Sequence, residues 1–284
     1  MTLLINQDGV IAPTATVSVL DRGFLYGDSI YEVVRTFAGK TFGLQEHLDR
    51  LRQSAAYLYM NVPWSDSHIQ QEVNRTLDQA GPGEYYIRIV VSRGVESRIS
   101  LLPTQSIQPS LTVIVAAIDP EPILSETGIH LAVVQRLRND SRALDPAAKT
   151  GNYLNNILAL LEARQHGAED ALLLNSAGEV SEATTSNIWV VQEGMVKTPP
   201  VEAGILHGIT RHFLLKILRD NNIPHREVSL QPADLWSAEE AFLSSSVRLL
   251  MPVRCIDDFT LPACPGPITR LLWEELINLM KEMP

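Results

Sequence analysis

Residues 145–191 read DPAAKTGNYLNNILALLEARQHGAEDALLLNSAGEVSEATTSNIWVV. The run Asn152 to Gln165 is rich in leucine, alanine and asparagine and predicts a helix, while the short apolar runs between Ala171 and Val196 predict strands. Lys149 stands just ahead of that helix, where a strand or loop hands over to it, and from there a lysine can reach into a cleft. An amine that attacks an aldehyde must be neutral part of the time, and burial beside a cation lowers its pKa enough to allow that. On position alone a solvated lysine is the commoner case. Further on, Gly178 turns the chain, Val180 begins a strand, and Glu182 is followed by small hydroxylated residues and an apolar strand. A carboxylate in such company is poorly hydrated and needs a cationic or hydrogen-bond-donating partner. A protonated pyridine nitrogen would serve, although a surface glutamate in a turn is the plainer reading of that stretch by itself.

Outward from this stretch the pattern stays mixed. Towards the N-terminus, Leu3 to Asn6 and Val10 to Ala12 flank Asp8-Gly9 and predict a hairpin. Tyr31 to Phe37 and Thr41 to Leu44, with Gly39 in the turn, predict another. Leu44, Leu48, Leu51, Ala55 and Leu58 recur at spacings of three and four, which predicts a helix from Leu44 to Tyr59. A second helix over Asp66 to Ala80 should stop at Gly81-Pro82-Gly83. Tyr85 to Ser92 and Ser110 to Ile118 are rich in β-branched residues and predict strands.

Towards the C-terminus, a strand is expected near Ile129 to Val134, a helix at Ile209 to Asp220, and strands at Ala241 to Leu243 and Pro252 to Ile256. Asp119-Pro120-Glu121-Pro122 interrupts the pattern. The order predicts an α+β protein with a small domain over residues 1–118, a linker at 119–126, and a larger domain over 127–284. No internal repeat or low-complexity stretch interrupts it.

At 284 residues, with 45% apolar and 20% charged side chains, the chain has ample material for a packed interior. Its formal charge of -10 is spread along the sequence, which argues for solubility and against nucleic acids or anionic membranes as partners. MTLLINQDGV lacks the cationic lead and apolar run of a signal peptide, and no run approaches the roughly 18 apolar residues of a membrane span, so a cytoplasmic protein is expected. Cys255 and Cys264 form no CxxC, and the histidines show no HxxxH, so neither a disulfide scaffold nor a metal site is expected. GxGxxG, GxxxxGK[ST] and GxSxG are absent, which removes support from nicotinamide, P-loop and α/β-hydrolase readings.

Several further residues could carry chemistry. In AGILHGITRHFLLKIL, Gly208, Ile209 and Thr210 open a helix whose free amides and dipole suit a phosphate, although a capping threonine is commoner. Ser244-Ser245-Ser246 follows an apolar strand and could add hydroxyl donors. Arg50 lies beside the apolar stripe of its helix, on the same side as His47 and Ser54, where it could bind a phosphate from the rim of the core. A period of two in YYIRIVVS places Tyr86, Arg88, Val90 and Ser92 on one face and Tyr85, Ile87, Ile89 and Val91 on the other. Arg88 therefore needs an anion, which is either a substrate carboxylate or a structural salt bridge.

Taken in order, DRGFLYGDSIYEVVRTF, EHLDRLRQSA, YYIRIVVSRG, AKTGNYLNNILALLEARQHGAEDALLLN, GEVSEATTSNIWVV, GILHGITR and FLSSSVRLLMPV resemble the class IV aminotransferase family, the fold-type IV pyridoxal-phosphate enzymes. The resemblance spans nearly the whole chain and is far more specific than any one segment. It implies that Lys149 is the Schiff-base lysine, Glu182 the partner of the pyridine nitrogen, and Arg50, Ile209, Thr210 and Ser246 the phosphate ligands of pyridoxal 5'-phosphate. It also implies a small and a larger α/β domain, a homodimer, and ping-pong transfer of an amino group from an amino acid to a 2-oxo acid.

The substrate residues mix two branches. Tyr31 and Arg98 look like the D-amino-acid branch, which places a histidine where Ser100 stands. Tyr86 and Arg88 look like the branched-chain pattern, yet Tyr31-Glu32-Val33 replaces that branch's FEG. Two further readings remain: 4-amino-4-deoxychorismate lyase, which uses the same cofactor to form p-aminobenzoate and pyruvate, and a non-enzymatic pyridoxal-phosphate carrier.

Overall fold

A computed structural model of the chain describes residues 2–119 and 122–283. The chain divides into two compact units, residues 2–119 with 148–152, and residues 122–147 with 153–283. Pro120 and Glu121, inside the expected linker, lie outside the described residues.

In the first unit β1 (Leu3–Gln7) and β2 (Val10–Ala12) form the expected hairpin. Asp8 and Gly9 take φ of 49° and 89°, the left-handed values that a two-residue loop between twisted strands requires. The five residues of α1 (Arg22–Tyr26) are too few to show a period, and Asp21 starts the helix by accepting from the Gly23 and Phe24 N–H groups. β3 (Ser29–Phe37) is followed by β4 (Lys40–Thr41). The strand expected at Thr41 to Leu44 is thus displaced. Ala38 and Gly39 turn the chain so that Phe37 pairs with Lys40, and Leu44 opens α2 (Leu44–Tyr57) instead.

α3 (Asp66–Ala80) is capped by the Ser65 hydroxyl and stops at Gly81, as expected. β5 (Tyr85–Ser92) and β6 (Ser110–Ala117) complete a six-stranded sheet in the order β2-β1-β6-β5-β3-β4. The period of two holds in β5: Tyr85, Ile87, Ile89 and Val91 enter the core with Leu48, Leu51 and Val73, while Tyr86, Arg88 and Val90 stay half-buried on the other face. Burying each such aliphatic side chain stabilises the unit by roughly 1.5–3 kcal/mol.

Residues 148–152 join this unit along β3. Thr150 bridges Ile30, Tyr31 N–H donates to the Lys149 carbonyl at 3.0 Å, and Gly151 N–H donates to the Ser29 carbonyl at 2.8 Å. Lys149 therefore rides along β3 of the six-stranded sheet.

The second unit begins with β7 (Ile129–Val133), α4 (Leu154–Gln165), β8 (Asp170–Leu174), β9 (Val180–Ala183) and β10 (Asn187–Gln192). β11 (Met195–Thr198), α5 (Ile209–Asp220), β12 (His225–Glu227) and α6 (Pro232–Leu235) follow. β13 (Glu240–Ser245), β14 (Leu249–Ile256), β15 (Phe259–Thr260) and α7 (Pro267–Glu282) close it. The sheet runs β12-β11-β10-β13-β14-β7-β8-β9, with β15 against β14. β10 is buried along its whole length, and its Trp189 stacks on Phe242 of β13 with ring centroids 5.7 Å apart. α4 begins at Leu154, two residues after the expected start. The fold is α+β, as the order of elements predicts.

Candidate active site

On the core side of β3, Glu32 is fully buried between Ile30 and Val34. An isolated carboxylate there would be severely destabilised. α2 answers it from the facing side: Arg50 donates through Nε to Oε1 at 2.8 Å and through Nη2 to Oε2 at 2.6 Å, and His47 Nδ1 lies 2.6 Å from Oε2. Burial pushes the Glu32 carboxyl up, but Arg50 and His47 more than offset it and hold the group down at about 2. Burial, with Arg50 and Lys149 nearby, also lowers the His47 pKa, although its bond to Glu32 opposes that. Because an ionised carboxylate only accepts, Nδ1 of a neutral His47 carries the proton. Arg50 is buried, unlike the solvated arginines common on helix surfaces. His47, Arg50 and Ser54 share the inward side of α2, as the spacing predicts, and the Ser54 hydroxyl accepts from the Lys149 N–H at 3.0 Å.

The opposite face of β3 presents Tyr31. The Arg88 guanidinium carbon lies 3.7 Å from the centroid of its ring, and Lys149 Nζ lies 4.7 Å from the same centroid. The ring therefore gathers a primary amine and a guanidinium in one place. Among the described residues no carboxylate pairs with Arg88, which removes the structural salt bridge as the reason for this arginine. Tyr86 is half-buried on the same strand face as Arg88.

Arg98 is the remaining candidate for the substrate. It is exposed on the loop after β5 and lines a cleft of about 950 Å³ together with Asp21, Ser92 and Glu96. Buried Arg22 pins that loop, donating to the carbonyls of Ser100 at 2.6 Å and Leu101 at 2.7 Å. Asp28 holds Arg22 in turn, at 2.9 Å, and bonds Arg93 at 2.7 Å.

In the second unit β9 carries Glu182, and its expected partner proves to be Arg138, whose Nη2 donates to Oε1 at 2.8 Å. Oε2 accepts from the Leu206 N–H at 3.0 Å and from Asn187 Nδ2 at 3.1 Å. Asn156 steadies Arg138 by accepting from its Nη1 at 3.0 Å. A carboxylate offers about four acceptor sites, so these donors leave Glu182 capacity for one more cation or donor. Nothing in the sequence near Glu182 points to Arg138, which lies 44 positions earlier.

Ile209 and Thr210 open α5, whose N-cap Gly208 supplies no side-chain acceptor. The Thr210 hydroxyl is buried yet has no hydrogen-bond partner. A capping role for this threonine is therefore excluded. A buried free hydroxyl beside unfilled helix amides is the donor set an anion such as a phosphate requires. Of the serine run, Ser244 is already taken by Trp189, whose Nε1 donates to it at 2.9 Å, while Ser246 sits half-buried in the turn beyond β13. Among the described residues no group of three or more His, Cys, Asp and Glu side chains could hold a metal ion, and no helix is long and apolar enough to cross a membrane.

The family model for amino-transferase class IV matches residues 29–256. The chain belongs to the class IV aminotransferases. A Methanocaldococcus jannaschii protein provisionally named a branched-chain-amino-acid aminotransferase is 38% identical over 257 residues, covering 90% of this chain and 88% of the relative. D-alanine aminotransferase of Listeria monocytogenes is 32% identical over 286 residues, covering 98% and 96%. The crystal structure of the branched-chain aminotransferase of Thermoproteus uzoniensis with norvaline superposes with a TM-score of 0.89 at 33% identity, covering 98% of this chain and 94% of that one. For a class IV aminotransferase, the one acceptor site left on the Glu182 carboxylate and the free hydroxyl of Thr210 fit a phosphorylated pyridine cofactor.

Proposed function

We propose that this class IV aminotransferase uses pyridoxal 5'-phosphate to move an amino group between an amino acid, aliphatic or of D configuration, and a 2-oxo acid. The reading rests chiefly on the cluster at Tyr31, where an amine and a guanidinium without a carboxylate partner converge on one ring. An amine can bind an aldehyde covalently, and an unpaired guanidinium suits a substrate carboxylate. The bound cofactor would supply an electron sink for loss of the substrate's α-proton.

Each residue then has a task. Lys149 Nζ would hold the cofactor's aldehyde and would move the substrate's α-proton. Glu182, fixed by Arg138, Asn187 and the Leu206 amide, keeps the pyridine nitrogen protonated. Arg50, Ile209, Thr210 and Ser246 hold the phosphate, and Tyr31, Tyr86, Arg88 and Arg98 receive the substrate. The first product leaves before the second substrate binds, which gives ping-pong kinetics.

The active form is a homodimer. In support, Leu154, Ile157 and Leu161 of α4 are all more than half exposed and stand at spacings of three and four, an apolar stripe that a second copy would cover.

Borohydride reduction of the cofactor-treated protein, followed by peptide mass mapping, tests the anchor. The cofactor's mass should appear on the peptide holding Lys149 and vanish in Lys149→Ala, whereas labelling elsewhere would overturn the reading. A screen of L- and D-amino acids for conversion of the cofactor to its amine form then defines the substrate, while release of p-aminobenzoate and pyruvate from aminodeoxychorismate would instead identify the lyase.

A further inference from the structure

Asn187, the first residue of β10, is almost wholly buried, and both hydrogens of its amide are committed. Nδ2 donates to Glu182 Oε2 at 3.1 Å and to the Leu206 carbonyl at 3.0 Å, while the Leu206 N–H donates back to the same Oε2 at 3.0 Å. The amide thus closes a small ring with the carboxylate and the 206 peptide. Its other end meets Gly208, where an added Cβ would lie 2.0 Å from Asn187 Oδ1. Gly208 has φ of -62°, which any residue adopts, so the close approach and not backbone freedom is what calls for glycine. That glycine caps α5, directly before Ile209 and Thr210.

One buried side chain therefore touches both the carboxylate proposed for the ring nitrogen and the backbone that aims the proposed phosphate cradle. We propose that Asn187 is a positioning residue that sets the spacing between these two ends, so that ring and phosphate of one cofactor are held together. A side chain that merely filled space would need neither donor, and its loss would lower stability without changing affinity at both ends. The inference rests on the function proposed above, because it takes Glu182 and the α5 start as the two ends of one site.

The test uses the purified protein freed of cofactor and three probes: pyridoxal 5'-phosphate, pyridoxal, and inorganic phosphate. Asn187→Ala should weaken pyridoxal by about tenfold, the size of a lost hydrogen bond to a charged group, and phosphate by a similar factor because the backbone at Gly208 loses the side chain it rests against. Glu182→Gln should weaken pyridoxal and leave phosphate within about twofold, since only the ring end is altered. Gly208→Ala should push on Asn187 and reproduce the loss at both ends. In the double variant Asn187→Ala/Gly208→Ala the added methyl meets no amide, so the losses should be no greater than in the worse single variant.

If Asn187→Ala does not fold, Gly208→Ala carries the same test. A loss at one end alone, or losses that add in the double variant, would overturn the proposal. Failure of the wild-type protein to take up pyridoxal 5'-phosphate would overturn the functional reading and this inference together, whereas uptake by wild type with one-ended loss in Asn187→Ala would overturn the inference alone.

Discussion

Replacing Glu32 by glutamine keeps the shape of the side chain and removes its charge, which leaves the buried Arg50 guanidinium without its counter-charge. Breaking a buried pair from one side costs roughly 3–5 kcal/mol, so Glu32→Gln should be destabilised by about that much at neutral pH. The pH dependence is the sharper part. The Glu32 carboxyl sits at about 2 in the folded protein against an ordinary value of 4.5. Because the folded value is depressed, the stabilisation is complete above the ordinary value and is lost as pH falls through the folded one. A gap of that size is worth on the order of 3 kcal/mol, and about 2 kcal/mol of it is gone by pH 3. Urea unfolding of wild type and Glu32→Gln, followed by tryptophan fluorescence at pH 7 and pH 3, measures the difference directly. Other carboxylates titrate equally in both proteins and cancel, and placing His47→Gln in both removes the one histidine whose titration depends on Glu32. The gap between the two proteins should narrow by about 2 kcal/mol at the lower pH. An unchanged gap would mean that Glu32 is not held ionised by Arg50 and His47, and the account of this pair would be wrong.

Other expectations follow from single contacts. Glu240 accepts from the Ile268 and Thr269 N–H groups and the Thr269 hydroxyl, at 3.0, 2.9 and 2.7 Å, and so caps α7 from a neighbouring strand. Glu240→Ala should therefore lower stability by about 2 kcal/mol and speed amide exchange in the first turn of α7, and unaltered exchange there would rule the cap out. Gly27 has φ of 68°, and a Cβ on it would lie 2.6 Å from Asn152 Oδ1. Gly27→Ala should cost at least about 1–2 kcal/mol from the backbone alone, and an unshifted thermal midpoint would reject this. Glu182→Gln should still take up cofactor but slow α-proton removal by roughly 100-fold or more in single turnovers, and near-normal rates would count against its role at the ring nitrogen.

How far the sequence could be read depended on whether the physics was local. The Asp8-Gly9 turn and the alternation in β5 were legible because each is decided within a few residues, by left-handed φ in the one and by a half-buried period in the other. α7 was also legible in principle: Pro267 follows Gly266, and Leu272, Leu276 and Met280 recur every four residues on its buried side, yet no helix was expected there. Arg138 was not legible, because only the tertiary fold carries it to Glu182.

The buried charges of the first unit fall between these cases. The period of two in β3 puts Glu32 on the core side with Ile30 and Val34, and the helical spacing of α2 puts Arg50 beside its apolar stripe. Each position alone reads as a fault in the pattern, since neither charge is stable in a core by itself. Opposite charges at the core faces of two elements that must pack together have one low-energy resolution, which is to meet, and α2 and β3 do pack together. A charge that breaks an apolar period is thus a statement about some other element, and the residue to seek is the opposite charge that breaks another.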